Sequence, residues 1–391
     1  MWGNGVLRGC ARRAPPREHA PAGGGKPARD TMVSMHDSEV GLQVFEALTA
    51  LGYGEVHFHR DGDTELSAIV AVHDRRLGPA LGGTRFIPYA TEQAALTDVL
   101  RLARAMTSKA ALARLPHGGG KAVIMKPSGA FDRPALLTSF ARFVDGLGGR
   151  FITTEDSGTT TADMEIVRLH TRHVCGFELA NGGSGDPSPF TALGVRRGIE
   201  AAVKFRLGRA DLQGVRVAVQ GTGNVGYHLC KELAGAGALL TVADVRDELA
   251  ERAHVEFGAT VVPSAIIHRT ECDVFAPCAL GGAINDRTVG ELRCTVVAGA
   301  ANNQLASDQN GEQLKQRGIL YAPDYAINAG GLINVAQEIA GYDAQKSRAR
   351  TLEIYETIWE ICERSSKQDR PPHRVADAMV QEILAATPKA I

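Results

Sequence analysis

The sequence predicts an α/β protein with two successive domains. Its 391 residues are enough for two hydrophobic cores. Patterns typical of strands and helices alternate along most of the chain, as they do in α/β proteins. A stretch rich in Gly and Pro, residues 182–189, separates the two halves. We therefore expect a first domain at 35–180 and a second at 181–371, with a C-terminal helix at about 372–391 that returns to the first domain.

The first half of the chain contains helical and extended patterns in turn. Leu96, Val99, Leu100 and Ala103 have i, i+3, i+4 spacing, which predicts an amphipathic helix leading into Lys109. Pro and Gly residues then end this helix. The predicted elements, in order, are a helix near 40–48, a strand at 66–73, an extended Gly-rich segment at 77–86, the helix before Lys109, a strand at 122–125, a helix at 135–147 and a strand at 151–155.

The second half begins with a helix, and short apolar runs bounded by Gly or polar residues then predict its strands. Its elements, in order, are a helix at 191–205, a strand at 215–220, a Gly-rich turn at 221–226, a helix through 233, a strand at 239–243, short strands at 274–275, 295–298 and 318–321, and a helical stretch at 331–384 with a polar break near 369–372.

The bulk composition is that of an ordinary globular protein. Charged residues make up 22% of the chain, hydrophobic residues 44%, and the net charge is −1. This balance argues against a general nucleic-acid or membrane-surface binder, and no 18-residue apolar stretch predicts a membrane span. The seven cysteines lack CxxC spacing, which favours reduced thiols and a cytoplasmic location. The spacing of Cys272 and Cys278 does not indicate a zinc site, so we expect no metal.

Residues 1–34 differ from the rest and are expected to be a disordered leader. They are rich in Arg, Pro, Gly and Ala and lack the apolar core of a signal peptide. They could be an organellar targeting peptide, or a segment read from an early start codon, since Met32 and Met35 fall just before the first helical pattern. A nucleic-acid-binding role would need aromatic residues among the arginines, and Trp2 alone is not enough.

A glycine-rich turn predicts a dinucleotide site in the second domain. It follows a buried strand and opens a helix, and an acid, Asp244, ends the next strand, which is the context of a Rossmann-type doubly wound domain. The first glycine makes the turn, the second lets the backbone approach a pyrophosphate, and the third permits close helix–strand packing. Asp244 would bind ribose hydroxyls and so favours NAD, although Arg246 could accommodate NADP. The predicted cofactor-binding residues of the turn are Gly221, Thr222, Gly223, Asn224, Val225 and Gly226.

Two lysines in the first domain are the main candidates for catalysis. Lys121 follows three glycines, which would let a ligand come close to the backbone, and Lys109 ends the helix before them. Burial and a second cation lower the pKa of an ammonium in such a slot, so that a lysine can act as a general base. The alternative is a pair of solvated surface lysines beside a flexible turn.

Taken together, these motifs resemble the amino-acid dehydrogenase superfamily, and within it the leucine/valine/phenylalanine dehydrogenase branch. The resemblance runs from about residue 40 to residue 384. It is carried by the segments 77–85, 106–109, 118–121, 154–156, 186–191, 221–226, 298–303 and 322–331.

The resemblance implies an active site in a cleft between the two domains. Lys109 corresponds to the lysine that binds the substrate α-carboxylate, Lys121 to the catalytic lysine that deprotonates the attacking water, and Asp156 to the carboxylate that exchanges protons with the amine. Thr191 is expected to contact the cofactor, and Asn302 both cofactor and substrate. The implied reaction is NAD-dependent oxidative deamination of an L-amino acid and its reverse. The family also implies a homo-oligomer, from dimer to octamer.

The predicted side-chain pocket consists of Leu81, Met106, Leu332 and Val335, and Gly82 and Gly83 are also expected to bind the substrate. Leu81 stands where glutamate-specific relatives carry a lysine, and Val335 where they carry a hydroxyl residue. A carboxylate buried there without a partner would cost several kcal/mol, so an apolar substrate is expected. Leucine, valine and isoleucine are favoured, with phenylalanine or tryptophan as the alternative. A non-catalytic NAD-binding sensor would be expected to lose Lys121 or Asp156, and both are present.

Overall fold

The structure is a computed structural model that describes residues 44–279 and 281–387. It contains two β-sheets, each covered by helices, which confirms the predicted α/β class. The leader at 1–34 and the beginning of the first helical pattern lie outside the described residues. The described residues all belong to one compact unit, so the domain limits at 180 and 371 stay predictions. None of the helices in the described ranges is long and apolar enough to cross a membrane.

The first sheet has five strands in the order β1-β2-β4-β3-β5. β3, β4 and β5 run parallel, whereas β2 is antiparallel to both β1 and β4. The sequence did not predict β1, an edge strand. The strands are β1 (Glu55–Asp61), β2 (Leu66–Asp74), β3 (Ala80–Ile87), β4 (Gly118–Met125) and β5 (Phe151–Glu155), and the helices of this half are α1 (Val44–Leu51), α2 (Glu92–Leu112), α3 (Arg133–Gly146) and α4 (Thr161–Arg168).

Helix α2 covers the face of this sheet that carries the candidate catalytic residues. Its first turn is capped by Thr91, whose side chain accepts a hydrogen bond from the N–H of Ala94. The apolar positions that predicted the helix are buried in one cluster with Ile69 and Val123 of the sheet. Lys109 lies in its last turn. Because α2 packs against β2 and β4, the position of Lys109 is fixed by packing rather than by a loop.

The three glycines before Lys121 lie inside β4, not in a turn that ends α2 as the sequence suggested. A Cβ atom on Gly119 would come within 2.1 Å of the backbone nitrogen of Thr107 in α2. A Cβ atom on Gly82 in β3 would lie 1.8 Å from the carbonyl oxygen of Gly120. These glycines are therefore explained by contacts within the protein: they let α2 and β3 approach β4, and this approach brings Lys109 near Lys121.

The second sheet has six parallel strands in the order β8-β7-β6-β9-β10-β11. This is the order third, second, first, fourth, fifth, sixth of the doubly wound dinucleotide fold, and it confirms the predicted Rossmann-type topology. The direction of winding reverses between β6 and β9. The strands are β6 (Arg216–Gln220), β7 (Leu239–Ala243), β8 (Thr260–Val261), β9 (Val274–Pro277), β10 (Val296–Val297) and β11 (Leu320–Tyr321).

The second half of the chain also contains ten α-helices within the described residues. They are α5 (Ser188–Leu207), α6 (Asn224–Gly235), α7 (Asp247–Phe257), α8 (Thr288–Glu291), α9 (Asp308–Gln316), α10 (Asp324–Ile327), α11 (Gly330–Ala336), α12 (Ala344–Leu352), α13 (Ile354–Gln368) and α14 (Pro372–Ala386). Most of them lie around this sheet, whereas α14 packs mainly against α2 and α13. The end of the breaker-rich stretch belongs to α5, because Pro189 is tolerated in a first helical turn. The predicted break after α13 is real: Asp369 has a φ of 50° and Pro372 begins α14. The side chain of Arg76, between β2 and β3, donates a hydrogen bond to the carbonyl of Leu384 in α14.

We expect Gly82→Ala to destabilise the protein by about 1–3 kcal/mol or more, because the new methyl group would overlap a backbone carbonyl of β4 that cannot move aside. The change is measured as the free energy of unfolding in denaturant. Gly129→Ala is the matched control, since a Cβ atom there meets no atom within 4 Å. Equal stability of the two variants would contradict the proposed reason for Gly82.

Candidate active site

A cleft of about 810 Å³ is lined by residues from both halves of the chain. The first half contributes the ends of β3 and β5, Lys121 in β4 and the last turns of α2. The second half contributes the glycine-rich turn before α6, the segment 300–303 and helices α10 and α11. In parallel sheets of this kind, ligands bind beyond the carboxyl ends of the strands, near the point where the winding reverses.

Lys121 and Asp156 form an ion pair in the wall of this cleft. The distance from Lys121 Nζ to Asp156 Oδ2 is 2.8 Å, and Lys121 is only 5% exposed. The two residues come from β4 and from the end of β5, with β3 between them. A Cβ atom on Gly83 in β3 would lie 2.8 Å from Asp156 Cβ and 3.1 Å from Lys121 Nζ. Gly83 therefore has no side chain where the two charged groups meet.

Arg85 is a charged residue of the cleft to which the sequence analysis gave no role. Its Nε lies 3.2 Å from Asp156 Oδ2, the oxygen that also binds Lys121. Its Nη1 lies 2.9 Å from a carboxylate oxygen of Asp98 in α2, which also accepts a hydrogen bond from Tyr89. One signal was available: Arg85 follows Gly83 by two positions, so strand alternation places both on the same face of β3.

The charge of Asp156 is set by these two cations. Burial by itself would raise the pKa of its carboxyl group, but the positive charges of Lys121 and Arg85 outweigh burial and lower the pKa to about 2. Asp156 is therefore a carboxylate at neutral pH. An ionised acid beside a lysine, in a site largely removed from water, can give and accept protons over a short distance.

Lys109 faces this pair from the end of α2. Its Nζ donates a hydrogen bond to Asn302 Oδ1 at 3.2 Å, and the side-chain amide of Asn328 donates to the same oxygen at 2.9 Å. Burial, assisted by the charge of Lys121, lowers the pKa of Lys109 to about 8, although the buried carboxyl group of Asp324 acts in the opposite direction. Burial in turn raises the pKa of Asp324.

The apolar part of the cleft contains three of the predicted pocket residues: Met106, Leu332 and Val335. The α2 residues Leu102 and Ala105, which the sequence analysis did not name, line it as well. Leu81 and Gly82 do not line the cleft. Leu81 has no exposed surface and belongs to the hydrophobic core, and the space above Gly82 is taken by the backbone of β4. The assignment of Leu81 to the pocket wall and of Gly82 to substrate binding is therefore corrected, because packing around β3 covers both positions.

The glycine-rich turn has the geometry expected of a phosphate-binding loop. Gly221 has a φ of 93°, and a Cβ atom on Gly226 would lie 2.0 Å from the carbonyl oxygen of Gly221. A Cβ atom on Gly223 would meet nothing within 4 Å, so the backbone is open to a ligand there. Helix α6 begins at the next residue without a side-chain cap from any described residue, which leaves its first N–H groups for an anion.

Asp244 and Thr191 also hold positions suited to a dinucleotide. Asp244 Oδ2 accepts the backbone N–H of Thr222 at 2.8 Å, and its Oδ1 accepts that of Arg246 at 3.0 Å. Thr191, Asn302, Asn224, Val225 and Arg246 all line the cleft. These residues fit a nicotinamide dinucleotide. Within the described ranges, no three His, Cys, Asp or Glu side chains form a cluster that could hold a metal ion.

Comparisons with known proteins identify the family of the chain. The family described as "Glu/Leu/Phe/Val dehydrogenase, dimerisation domain" matches residues 54–173, and that described as "Glutamate/Leucine/Phenylalanine/Valine dehydrogenase" matches residues 182–251 and 236–386. The chain is 46% identical to leucine dehydrogenase of Bacillus cereus, over 88% of this chain and 94% of that protein. It is 44% identical to valine dehydrogenase of Streptomyces virginiae, over 85% and 93%.

The crystal structure of L-tryptophan dehydrogenase from Nostoc punctiforme is similar with a TM-score of 0.77 and 43% identity, over 88% of this chain and 100% of that one. The resemblance seen in the motifs is thereby confirmed, and the chain belongs to the Glu/Leu/Phe/Val dehydrogenase family.

Proposed function

We propose that the protein catalyses the NAD-dependent oxidative deamination of an apolar L-amino acid to the 2-oxo acid, ammonia and NADH, and the reverse reductive amination. The observation that carries the proposal is the Lys121–Asp156 pair, which faces Lys109 in the same cleft as the phosphate-binding turn. The similar proteins named leucine, valine and tryptophan dehydrogenase support an apolar substrate. Leucine, valine or isoleucine is the favoured class, and an aromatic amino acid is the second candidate.

Lys109 is proposed to bind the substrate α-carboxylate, with Asn302 beside it. This placement points the substrate side chain toward Met106, Leu332 and Val335. These three apolar side chains offer no charged partner, so burying the side-chain carboxylate of glutamate among them would cost several kcal/mol. The small Ala105 in the same wall supports the aromatic alternative, because it leaves room for a larger side chain.

In the proposed mechanism, Lys121 and Asp156 carry the proton transfers. A nicotinamide coenzyme held by the glycine-rich turn would supply the acceptor for the hydride that leaves the substrate Cα, so that the amine becomes an imine. Lys121, in its deprotonated form, then holds a water molecule and takes up its proton as the oxygen attacks the imine carbon. Asp156, which has accepted a proton from the substrate ammonium group before the imine forms, returns it to the nitrogen. The hydroxyl group gives its proton to Asp156 as the C–N bond breaks, and ammonia leaves with the 2-oxo acid. The contact between Lys121 and Asp156 lets the proton taken by one group be returned through the other.

The coenzyme is proposed to be NAD rather than NADP. Asp244 follows β7 directly and lies beside the glycine-rich turn, where a carboxylate accepts hydrogen bonds from the ribose hydroxyls and repels a 2′-phosphate. Arg246 also lines the cleft, with its Nε 4.0 Å from Asp244 Oδ1. Because Arg246 lies beside this carboxylate, its positive charge is partly neutralised. Arg246 would therefore attract the 2′-phosphate of NADP less strongly than an unpaired arginine would.

We also propose that the protein forms a homo-oligomer of two to eight subunits in the cytoplasm. The match of residues 54–173 to a dimerisation domain supports the first part. The scattered cysteines of the sequence support the second.

The function is tested by following NADH formation with L-leucine, L-valine, L-isoleucine, L-phenylalanine, L-tryptophan and L-glutamate. We expect turnover with apolar members, fastest with an aliphatic one. Turnover with glutamate alone would refute the apolar pocket. Absence of turnover with every amino acid, in protein that binds NAD, would favour a non-catalytic sensor.

We expect Lys121→Ala to lower kcat by about 10²–10⁴-fold or more, because it removes the proposed base. NAD affinity, measured by calorimetry, should be unchanged, since Lys121 is distant from the glycine-rich turn in sequence and belongs to the other sheet. Lys126→Ala, an exposed lysine just after β4, is the control and should retain wild-type turnover. Retained turnover in Lys121→Ala would exclude the proposed mechanism.

We expect the affinity for the 2-oxo acid to fall as the pH rises through about 8. The lowered pKa of Lys109 means that its ammonium is present below that pH and is lost above it, and with it the charge that binds the carboxylate. The affinity is measured as the dissociation constant between pH 7 and pH 9. Lys109→Arg stays charged over this range and should show a flatter dependence. A parallel decline in both proteins would contradict the role of Lys109.

We expect Asp244→Ala to weaken NAD binding about tenfold or more, because hydrogen bonds to a charged group contribute about 1.5–3 kcal/mol. The same change should narrow the preference for NAD over NADP. Dissociation constants for both coenzymes provide the measurement, with Asp247→Ala, an exposed acid at the start of α7, as the control. Unchanged NAD affinity would refute the ribose contact.

A further inference from the structure

Asp156 binds two cations through a single oxygen. Lys121 Nζ lies 2.8 Å and Arg85 Nε 3.2 Å from Asp156 Oδ2. The side chains of Arg85 and Asp156 are each 19% exposed, so their interaction is only partly screened by water. In the proposed reaction Lys121 gives up and regains a proton. A carboxylate that depended on Lys121 alone would lose its positive partner each time.

Arg85 differs from Lys121 in that it does not lose its charge. A guanidinium group stays protonated throughout the range in which enzymes work. It also has a fixed fork of donors, and here the fork spans two acids, with Nε toward Asp156 and Nη1 toward Asp98. A lysine has a single ammonium and would not reproduce both directions.

Asp98 anchors Arg85 to the helix that carries Lys109. Both of its carboxylate oxygens lie within 3.2 Å of Arg85 Nη1, and one of them also accepts the hydroxyl of Tyr89 at 2.7 Å. Asp98 and Lys109 both belong to α2. The orientation of the Asp156 carboxylate is thereby tied through Arg85 to the helix that we propose to hold the substrate carboxylate.

We propose that Arg85 is a positioning residue for the deamination, which keeps Asp156 ionised and oriented while Lys121 exchanges its proton. The inference rests on the proposed function, in which Asp156 serves the amine nitrogen. Arg85 itself need not touch the substrate: its role is exerted through Asp156.

The pH dependence of activity follows from the charged and titratable groups near Asp156. They are Lys121 from β4, Arg85 from β3, Lys109 from α2, the adjacent Glu155, and Tyr89 behind Asp98. Loss of Arg85 removes one of the two nearest positive charges and leaves the acids in place. The pKa of Asp156 then rises, and activity that needs the carboxylate begins to fail at a higher pH.

The experiment compares Arg85→Gln, Arg85→Lys and the control Arg76→Gln. Arg76 is also a partly buried arginine held by one acid, with its Nε 2.9 Å from Asp74 Oδ2, but it does not line the cleft. The pH profile of kcat/KM is measured with the amino acid that is turned over fastest.

The affinity of each variant for NAD shows whether the protein is folded. The titration of Asp156 is followed by NMR of carboxyl-labelled aspartate, assigned with Asp156→Asn, and needs no turnover.

We expect Arg85→Gln to bind NAD normally and to lose up to about a hundredfold in kcat/KM at neutral pH, as a misplaced group can cause. The acidic limb of its kcat/KM profile should shift to higher pH by about one unit or more, since a nearby cation lowers a carboxyl pKa by about 1–3 units. Arg85→Lys should restore part of the shift, and Arg76→Gln should match the wild type.

An Asp156 titration that is unchanged in Arg85→Gln would overturn the proposal, whether or not the protein turns over an amino acid. A folded pair of Arg85 variants that are inactive at every pH would overturn it too, because Arg85 would then belong to the reacting groups. If the wild type turns over no amino acid, the proposed function fails, and the titration still decides whether Arg85 controls Asp156.

Discussion

The close approach of β3, β4 and β5 around Gly83 is the constraint on which the rest of the site depends. Lys121 and Asp156 come from strands that are not neighbours, and they meet only because the strand between them has no side chain at that position. Gly82 and Gly119 act in the same way on the backbone, since each removes a Cβ atom that would overlap another element. The charged pair is thus a consequence of how tightly the sheet and α2 pack.

This packing brings the charged groups of the site close enough to influence one another. Lys121 and Arg85 share one oxygen of Asp156, Arg85 is held by Asp98, and Lys109 donates a hydrogen bond to Asn302 while the buried Asp324 acts on its charge. Lys121, Arg85 and Asp156 thus have opposite charges as partners, which is the condition under which charges are tolerated away from water. As a result, Asp156 has a pKa of about 2 and Lys109 a pKa of about 8. At neutral pH Asp156 is therefore a carboxylate, whereas most of Lys109 is protonated.

The second sheet contributes a glycine-rich turn whose shape is already fixed by hydrogen bonds within the protein. Its binding turn uses backbone N–H groups and an acid that is already occupied by two other backbone N–H groups. Such a loop holds its shape before the ligand arrives, so less conformational entropy is lost on binding. Asn302, from the segment after β10, contacts Lys109 of the first half and therefore joins the two groups of residues in one cleft.

The sequence by itself determined the α/β class, the strand–turn–helix of the candidate dinucleotide site and the two lysines that line the cleft, because these depend on local spacing and on motifs that can be recognised in a single chain. Only the tertiary structure decided which side chains meet. Arg85 and Asp98 are thirteen positions apart and carry no motif of their own, yet strand and helix packing joins them to Asp156. Leu81 lies in a motif beside the cleft, yet the packing of β3 buries it in the core. Contacts between distant segments follow from how elements pack, and no local pattern encodes that packing.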